Sequence, residues 1–480
     1  MQGEEVAMKE YDYIALGSGS ALAIVTAIHQ SHPNARIAVI DKDDPGGICL
    51  NRGCIPSKLL LYPAELVRTV QRTGEFGIQS TIAAIDFPAV MQRMQSMIKS
   101  DRDAIQRELS NTLHLDYYHA VAEFVAPYTL KVADQTIKSK RIFLCTGSKP
   151  TLPPIKNLDK IPYLTSDTIL SLDHLPESVA IIGGGYIAAE YGYFLSSMGS
   201  RVTIIGRNPR FIPEEEPEIS ALALRDLGKH LTILTNHDVR ETEKGSDNKI
   251  RIHALNRATK KDVTVTADAV LIASGRGPNT DILHPELAGI KLDKNGWIVT
   301  NEFLETSQPG VWAFGDANGK FMFKHVANYE ARIVYANAVL KQKIPVDYRV
   351  IPHAVFSSPE IASVGLLEEE AKQKSGAGAI LIGFSRYEDT AKGIAMGLKD
   401  YFIKVIVEKE SLNILGAHII GPHASVLIQE FVTVLSSPDP TISSITSTMH
   451  IHPALTEVVQ QACGNLMTPE EYHNTIKEPT

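Results

Sequence analysis

The chain carries one short plan twice: an apolar, β-branched strand, a tight run of glycines, then a helix-forming stretch. Near the N-terminus it reads "YDYIALGSGSALAIVTAIHQ" followed by "ARIAVIDKDDPGG", and at 178–207 it reads "SVAIIGGGYIAAEYGYFLSSMGSRVTIIGR". A strand that runs through glycines into a helix presents bare backbone N–H groups at a helix N-terminus, where a pyrophosphate can approach. An acid at the end of the next strand can then accept hydrogen bonds from a ribose. Gly17 and Gly19 fill the first two glycine positions of the first copy, Leu22 stands in the third, and Asp41 ends the second strand. In the second copy the positions fall to Gly183, Gly185 and Ala188. Two such units direct the chain to an α/β fold with two Rossmann-like dinucleotide-binding domains. Taken singly, each match is also open to an α/β unit that binds no nucleotide.

The copies differ where the second strand ends. Gly206 lies 23 residues past Gly183, close to the 24 that separate Asp41 from Gly17, and Arg207 and Arg210 follow it. An acid there would hold a free 2′-hydroxyl and repel a 2′-phosphate, whereas arginines favour the phosphate. The second unit is therefore expected to take NADPH, with NADH as the alternative; the plain reading is two solvated arginines on a surface loop.

Between the first unit and a helical run lies "GGICLNRGCIPSK", which places Cys49 and Cys54 five positions apart among glycines. Four cysteines in 480 residues argue for a reducing compartment, here the cytoplasm, and for a catalytic or metal-binding pair rather than a structural bridge. A disulfide closing so small a ring would be exposed and labile, and the N-terminal dipole of the run "IPSKLLLYPAELVRTV" would lower a nearby thiol pKa. Zinc is the rival reading, although no second Cys/Cys or Cys/His pair follows at finger distance. Two nucleotide units beside a dithiol suggest a flavin between a hydride donor and the thiols. The net charge of −8 gives no basic footprint for nucleic acid or an anionic membrane, and no run approaches about 18 apolar residues. The acidic N-terminus does not read as a secretion signal, and "PEEEPE" at 213–218 reads as a solvated loop.

"GGICLNRGCIPSK" resembles the redox-active segment of the flavin-dependent pyridine nucleotide:disulfide oxidoreductases, the family of dihydrolipoyl dehydrogenase and mycothione reductase. The resemblance covers nearly the whole chain and implies FAD as cofactor. It makes Cys49 the interchange thiol, Cys54 the thiol beside the flavin, and Lys58 with Glu190 an ion pair at the reactive flavin nitrogen. It also makes Tyr186 an aromatic lid over the nicotinamide pocket; without it, Tyr186 is ordinary helix packing. "RIFLCTGSKP", with Gly147 and an apolar Cys145, and "LIASGRGPNTDIL", with Gly275, are similar to the turns returning from the two nucleotide units. "TSQPGVWAFGDAN" resembles the second flavin motif, in which Asp316 binds ribityl hydroxyls.

"HIHPALTEVV" has Pro453 placed to open a helix, with His452 at its edge and Glu457 on it. An imidazole can protonate a departing thiolate while a carboxylate orients the ring. The resemblance implies that this pair serves the other subunit of a homodimer. A His450/His452 metal site with Cys463 and a helix-capping histidine remain open. The expected domains are a flavin domain over 1–150, a nicotinamide domain over 151–275, a flavin-domain return over 276–346 and an α+β interface domain over 347–480. The expected substrate is a small disulfide, with a lipoyl group as the alternative; a flavoprotein serving mainly as a binding subunit of a larger complex is the reading from another class.

Overall fold

The computed structural model describes residues 8–477, so residues 1–7 of the acidic N-terminus lie outside the described residues. The first sheet begins with β1 (Tyr13–Leu16), β2 (Ile37–Asp41), β3 (Leu115–His119) and β4 (Ile142–Leu144), and β1 and β4 are buried along their whole length. Helices cover both faces of a parallel sheet, which is why these strands read as unbroken apolar runs. The helices that matter here are α1 (Ala21–Ser31), α2 (Gly47–Asn51), α3 (Cys54–Arg72) and α4 (Phe87–Asn111).

The second sheet repeats the scheme with β5 (Leu164–Thr165), β6 (Ser178–Ile182), β7 (Arg201–Ile205), β8 (Thr232–Leu234) and β9 (Ala269–Ile272), and α5 (Tyr186–Met198) and α6 (Pro217–Leu227) connect its strands. The chain then returns to the first sheet as β10 (Val311–Ala313) and continues into α7 (Lys324–Ala338). The strand orders are β10-β4-β1-β2-β3 and β5-β9-β6-β7-β8, so the four inner-to-edge strands repeat the same order, while the outer strand is last in chain order in the first sheet and first in the second. In both, the path from the third strand back toward the centre passes through an antiparallel β-meander, at 122–138 and at 237–267. All neighbours in the two five-stranded sheets pair in parallel. The expected pair of Rossmann-like units is therefore what the chain forms.

The C-terminal region is a six-stranded antiparallel sheet, β11 (His353–Val355), β12 (Ile361–Gly365), β13 (Ile380–Arg386), β14 (Phe402–Glu408), β15 (Ile414–Ile420) and β16 (Leu466–Met467), in the order β11-β12-β15-β14-β13-β16. Helix Ala424–Leu435 packs its apolar face on this sheet, burying Leu427, Ile428 and Phe431. Among the described residues no helix is long and apolar enough to cross a membrane.

The acidic run at 213–218 is not a solvated loop. Glu215 and Glu216 are buried, and Glu216, Glu218 and Glu368 surround the fully buried ammonium of Lys404 at 2.9, 2.6 and 2.6 Å. Tyr472 donates to Glu218, and His473 and Lys372 reach Glu368. The run looks unpaired in sequence because its countercharge is 188 residues away from Glu216, on β14. Lys404 lies on the C-terminal sheet, Glu216 at the start of α6 and Glu218 in its first turn, so the cluster fastens the second Rossmann-like unit to the C-terminal region. Removing the lysine strands buried carboxylates: Lys404→Met should cost roughly 3 kcal/mol or more, read as a fall in the thermal midpoint.

Candidate active site

A cavity of 310 Å³ runs from the end of β2, at Asp41, past the glycine turn and the Gly46–Cys54 segment to Lys58 and Glu190. Its floor has to be bare. Gly17 has φ +98°, and a Cβ there would stand 2.1 Å from the Cys145 carbonyl oxygen; a Cβ on Gly47 would stand 2.6 Å from Gly19 Cα. Asp41 sits where the sequence puts it: its Oδ2 accepts the Ser18 N–H at 2.7 Å and the Ser18 hydroxyl at 2.6 Å, and its Oδ1 accepts from the Asp43 N–H at 3.0 Å. Asp316, on the turn after β10, accepts from Ser148 Oγ at 2.5 Å and lines the same cavity, as does Gly147. In the wall, the Thr146 hydroxyl is buried without a partner. Acceptors at Asp41 and Asp316, a side-chain-free floor and an unsatisfied hydroxyl suit a dinucleotide with ribityl and ribose hydroxyls, so these residues fit FAD.

The thiols lie beside the far end. Short α2 carries Cys49, and Cys54 is the first residue of α3, one turn before Lys58. The Cys49 S–H donates to the Cys54 sulfur; this bond, with the Lys58 ammonium, lowers the Cys54 pKa to about 7 despite burial, while the same bond pushes Cys49 up. The pair is thus polarised, with Cys54 the thiolate and Cys49 the proton carrier. Lys58 is gripped by both Glu190 oxygens at 2.9 and 2.8 Å, and its ammonium stands 4.2 Å from the centre of the Phe356 ring. The Phe356 N–H donates to Glu190 at 3.1 Å, so α3, α5 and the chain after β11 meet at one point. Because Cys54 is depressed, its thiolate should persist above about pH 7 and be lost as the pH falls through it. Lys58→Met should move that midpoint upward; thiolate ultraviolet absorbance of the reduced protein against pH reads both.

Cys145 is not simply an apolar filler. It packs against the first unit's apolar core as the sequence suggests, it also lines the cavity, and burial pushes its thiol up to about 12. Such a thiol is inert at neutral pH. In the second unit Gly183 repeats Gly17: φ is +135°, and a Cβ would lie 2.1 Å from the Ala273 carbonyl oxygen. Gly185 caps α5, and Gly206 packs against Gly184, with a Cβ there 3.3 Å from Gly184 Cα. Arg207 and Arg210 are both exposed just beyond, and Arg210 donates to the Pro213 carbonyl at 3.3 Å. Gly275 has φ +112° and receives the Thr151 N–H at 3.0 Å in the return turn, away from the cavity wall. Tyr186 stands one helical turn before Glu190, on the same side of α5.

His452 and Glu457 come together, though not as a helix opened by Pro453. That helix starts at Thr456, and residues 452–455 form a turn in which the Ala454 N–H donates to Glu457 Oε2 at 3.0 Å. His452 Nδ1 donates to Glu457 Oε1 at 2.8 Å; this bond holds the carboxylate below its usual range, and the ring is 74% exposed. The cavity and His452 are not joined within one chain. The alternative metal grouping does not converge: Cys463 is buried in the helix core, and His450 turns inward to Glu430 at 3.0 Å. Among the described residues, the one cluster with metal-ligand spacing is Glu216, Glu218 and Glu368, which Lys404 fills.

Sequence reading missed Thr146, Arg276 and Glu330. Arg276 ties Ser148 Oγ at 2.7 Å and the Ser148 carbonyl at 2.9 Å, steadying the partner of Asp316. Glu330, buried on α7, accepts the Gly315 N–H at 2.5 Å and Asn318 Nδ2 at 3.0 Å and is bonded by Tyr348. It clamps the turn that aims Asp316, and burial raises its pKa. An ordinary glutamate in a helix carries no sequence signal of this.

Comparison with known proteins agrees with this geometry. The family model described as pyridine nucleotide-disulphide oxidoreductase matches residues 11–331, and that of its dimerisation domain matches residues 351–463. Mycothione reductase of Mycobacterium tuberculosis is 32% identical over 469 residues, covering 95% of this chain and 99% of the relative. Dihydrolipoyl dehydrogenase of Chlamydia muridarum is 33% identical over 456 residues, covering 93% and 95%. The solved HOCl-induced flavoprotein disulfide reductase RclA from Escherichia coli superposes with a TM-score of 0.83 at 27% identity, covering 95% of this chain and 99% of that one.

Proposed function

Because the chain belongs to the pyridine nucleotide-disulphide oxidoreductases, enzymes that use FAD and NAD(P)H, we propose that it reduces a low-molecular-weight disulfide with NADPH through Cys49 and Cys54. The observation that carries the thiol assignment is the meeting of the polarised cysteine pair with the Lys58–Glu190 ion pair at one end of the cavity. In this reading the flavin domain spans 1–150 with a return over 276–346, the nicotinamide domain spans 151–275, and the interface domain spans 347–480. The dimerisation-domain match supports a homodimer in which His452 and Glu457 act on the partner's thiols.

The chemistry supplied by bound FAD is two-electron transfer between a nicotinamide and a dithiol/disulfide couple. Tyr186 covers the nicotinamide end. Lys58, held by Glu190, keeps positive charge beside the Cys54 thiolate. Cys49 passes its proton to His452 as it attacks, forms a mixed disulfide with one half of the substrate and expels the other half as a thiolate. His452, oriented by Glu457, protonates that thiolate. Cys54 then attacks the Cys49 sulfur, closing the Cys49–Cys54 bridge and releasing the second thiolate. Two electrons thus leave the dithiol; one substrate half is released as a thiol, and the other as a thiolate that takes its proton from water.

Support for NADPH is the glycine at 206 in place of an acid, followed by two exposed arginines. The test is the oxidation of NADPH and NADH by the purified protein with lipoamide, oxidised glutathione, mycothione disulfide and bis-γ-glutamylcystine. NADPH should be the better donor and one small disulfide the better acceptor. Arg207→Ala with Arg210→Ala should raise the KM for NADPH by about tenfold or more and leave that for NADH unchanged, as loss of charge-assisted phosphate contacts requires. Turnover confined to lipoamide with the NAD couple would reassign the protein to lipoamide chemistry.

A further inference from the structure

Of the two fully buried glutamates in the acidic run, Glu215 and Glu216, Glu215 is the one that does not bond Lys404. Its side chain is completely buried, and it accepts hydrogen bonds from His353 Nε2 at 2.8 Å and Ser363 Oγ at 2.6 Å. Those two bonds fix the plane of the His353 ring, and that ring lies flat on Tyr186, with centroids 5.6 Å apart and planes 18° from parallel. His353 is also stacked with Phe323, with centroids 5.9 Å apart and planes 5° from parallel. Burial and the nearby Glu215 carboxylate raise the pKa of the Tyr186 hydroxyl, so it stays protonated beside that charge. The Tyr186 ring is therefore stacked against a His353 ring that Glu215 holds in place, while Glu190, one turn along α5, holds Lys58.

We propose that Glu215 and His353 form a latch that keeps the Tyr186 ring closed over the nicotinamide end of the cleft, so that cofactor binding must first part Tyr186 from His353. This rests on the reading of Tyr186 as the ring over the nicotinamide pocket. Both latch residues are positioning residues: they act through Tyr186 and touch no reacting atom. When a binding-competent form is only fractionally populated, apparent affinity falls by that fraction, so the latch weakens the grip on the nicotinamide nucleotide. The closed ring also limits a side reaction in which NADPH and a proton reduce dissolved oxygen to hydrogen peroxide and leave NADP⁺.

The test uses the FAD-loaded enzyme and two readouts, the equilibrium Kd for NADP⁺ by calorimetry and NADPH-dependent oxygen consumption without disulfide. His353→Ala removes the stacked face, and Glu215→Gln removes the charge that holds it; His353 lies nearer the surface and its variant is the safer of the two to fold. Both should tighten NADP⁺ by about fivefold and raise oxygen consumption by a similar factor, the scale of one modest interaction lost from the closed form. Tyr186→Ala should raise oxygen consumption at least as much. If Tyr186→Ala raises it while His353→Ala leaves both readouts at the wild-type value, the latch is wrong and the lid reading stands. If Tyr186→Ala moves neither readout, the lid reading fails and the latch with it.

Discussion

Replacing Cys49 with serine should remove disulfide turnover, by about 10⁴-fold or more, while FAD content and NADPH binding stay at wild-type levels. A serine hydroxyl is not ionised near neutrality and cannot open a disulfide, whereas a thiol can once its proton is passed on. Cys49 is also the donor that polarises the pair, so its loss takes away the hydrogen bond that contributes most to lowering Cys54. The Cys54 thiolate should therefore titrate higher in the variant. Cys54→Ser should be equally inactive for a different reason: the mixed disulfide on Cys49 would form and then have no resolving thiolate. Mass spectrometry of each variant after exposure to substrate distinguishes them, with a trapped adduct on Cys49 in the second and none in the first. Reduction of ferricyanide with NADPH, which needs no thiol, should survive in both and shows that the nicotinamide and flavin ends remain intact.

His452→Ala should lower disulfide turnover by about 10²–10⁴-fold, the usual worth of a positioned acid, with reduction of the protein by NADPH unchanged. The ring has its Nδ1 committed to Glu457 at 2.8 Å, which leaves Nε2 to face outward. With the side chain 74% exposed on a turn flanked by the exposed apolar residues Met449 and Ile451, its proton is aimed away from its own chain. A mixing experiment separates action in the same chain from action across the dimer. Subunits carrying Cys49→Ser and subunits carrying His452→Ala are each inactive; their heterodimer contains one site with both Cys49 and His452 only if His452 serves the partner. Reassociation should then recover about a quarter of wild-type activity at equal mixing, since about half the dimers are mixed and each holds one whole site. If His452 acts within its own chain, no activity returns.

How far the sequence reached can be judged from particular residues. Gly17 and Gly183 were legible because a close backbone approach admits only glycine: a Cβ on either would stand 2.1 Å from a carbonyl oxygen just past the neighbouring strand. The duplicated sheet followed from that, since a strand covered on both faces has to be apolar throughout. Cys49, Cys54, Lys58, Glu190, His452 and Glu457 were nameable from motif; the structure brings them into pairs, and their chemical roles await the variants above. The acidic run was misread because the lysine that neutralises it lies on another domain. Pro453 was read as a helix opener, yet Glu457 reaches back to Ala454 and His452 and sets the helix start at Thr456. Glu330 and His353 act through distant backbone or ring contacts that no local pattern records, and Thr146 stands out only because its hydroxyl is buried without a partner.

The measurement closest to the central claim is differential alkylation of the purified yellow protein before and after one equivalent of NADPH under anaerobic conditions, read by peptide mass spectrometry. Electron transfer through the Cys49–Cys54 pair predicts that these two alone change from bridged to alkylated, while Cys145 and Cys463, buried with thiols pushed up to about 12, stay the same. If NADPH is consumed and the labelling of Cys49 and Cys54 does not change, the pair does not carry the electrons and the account is wrong.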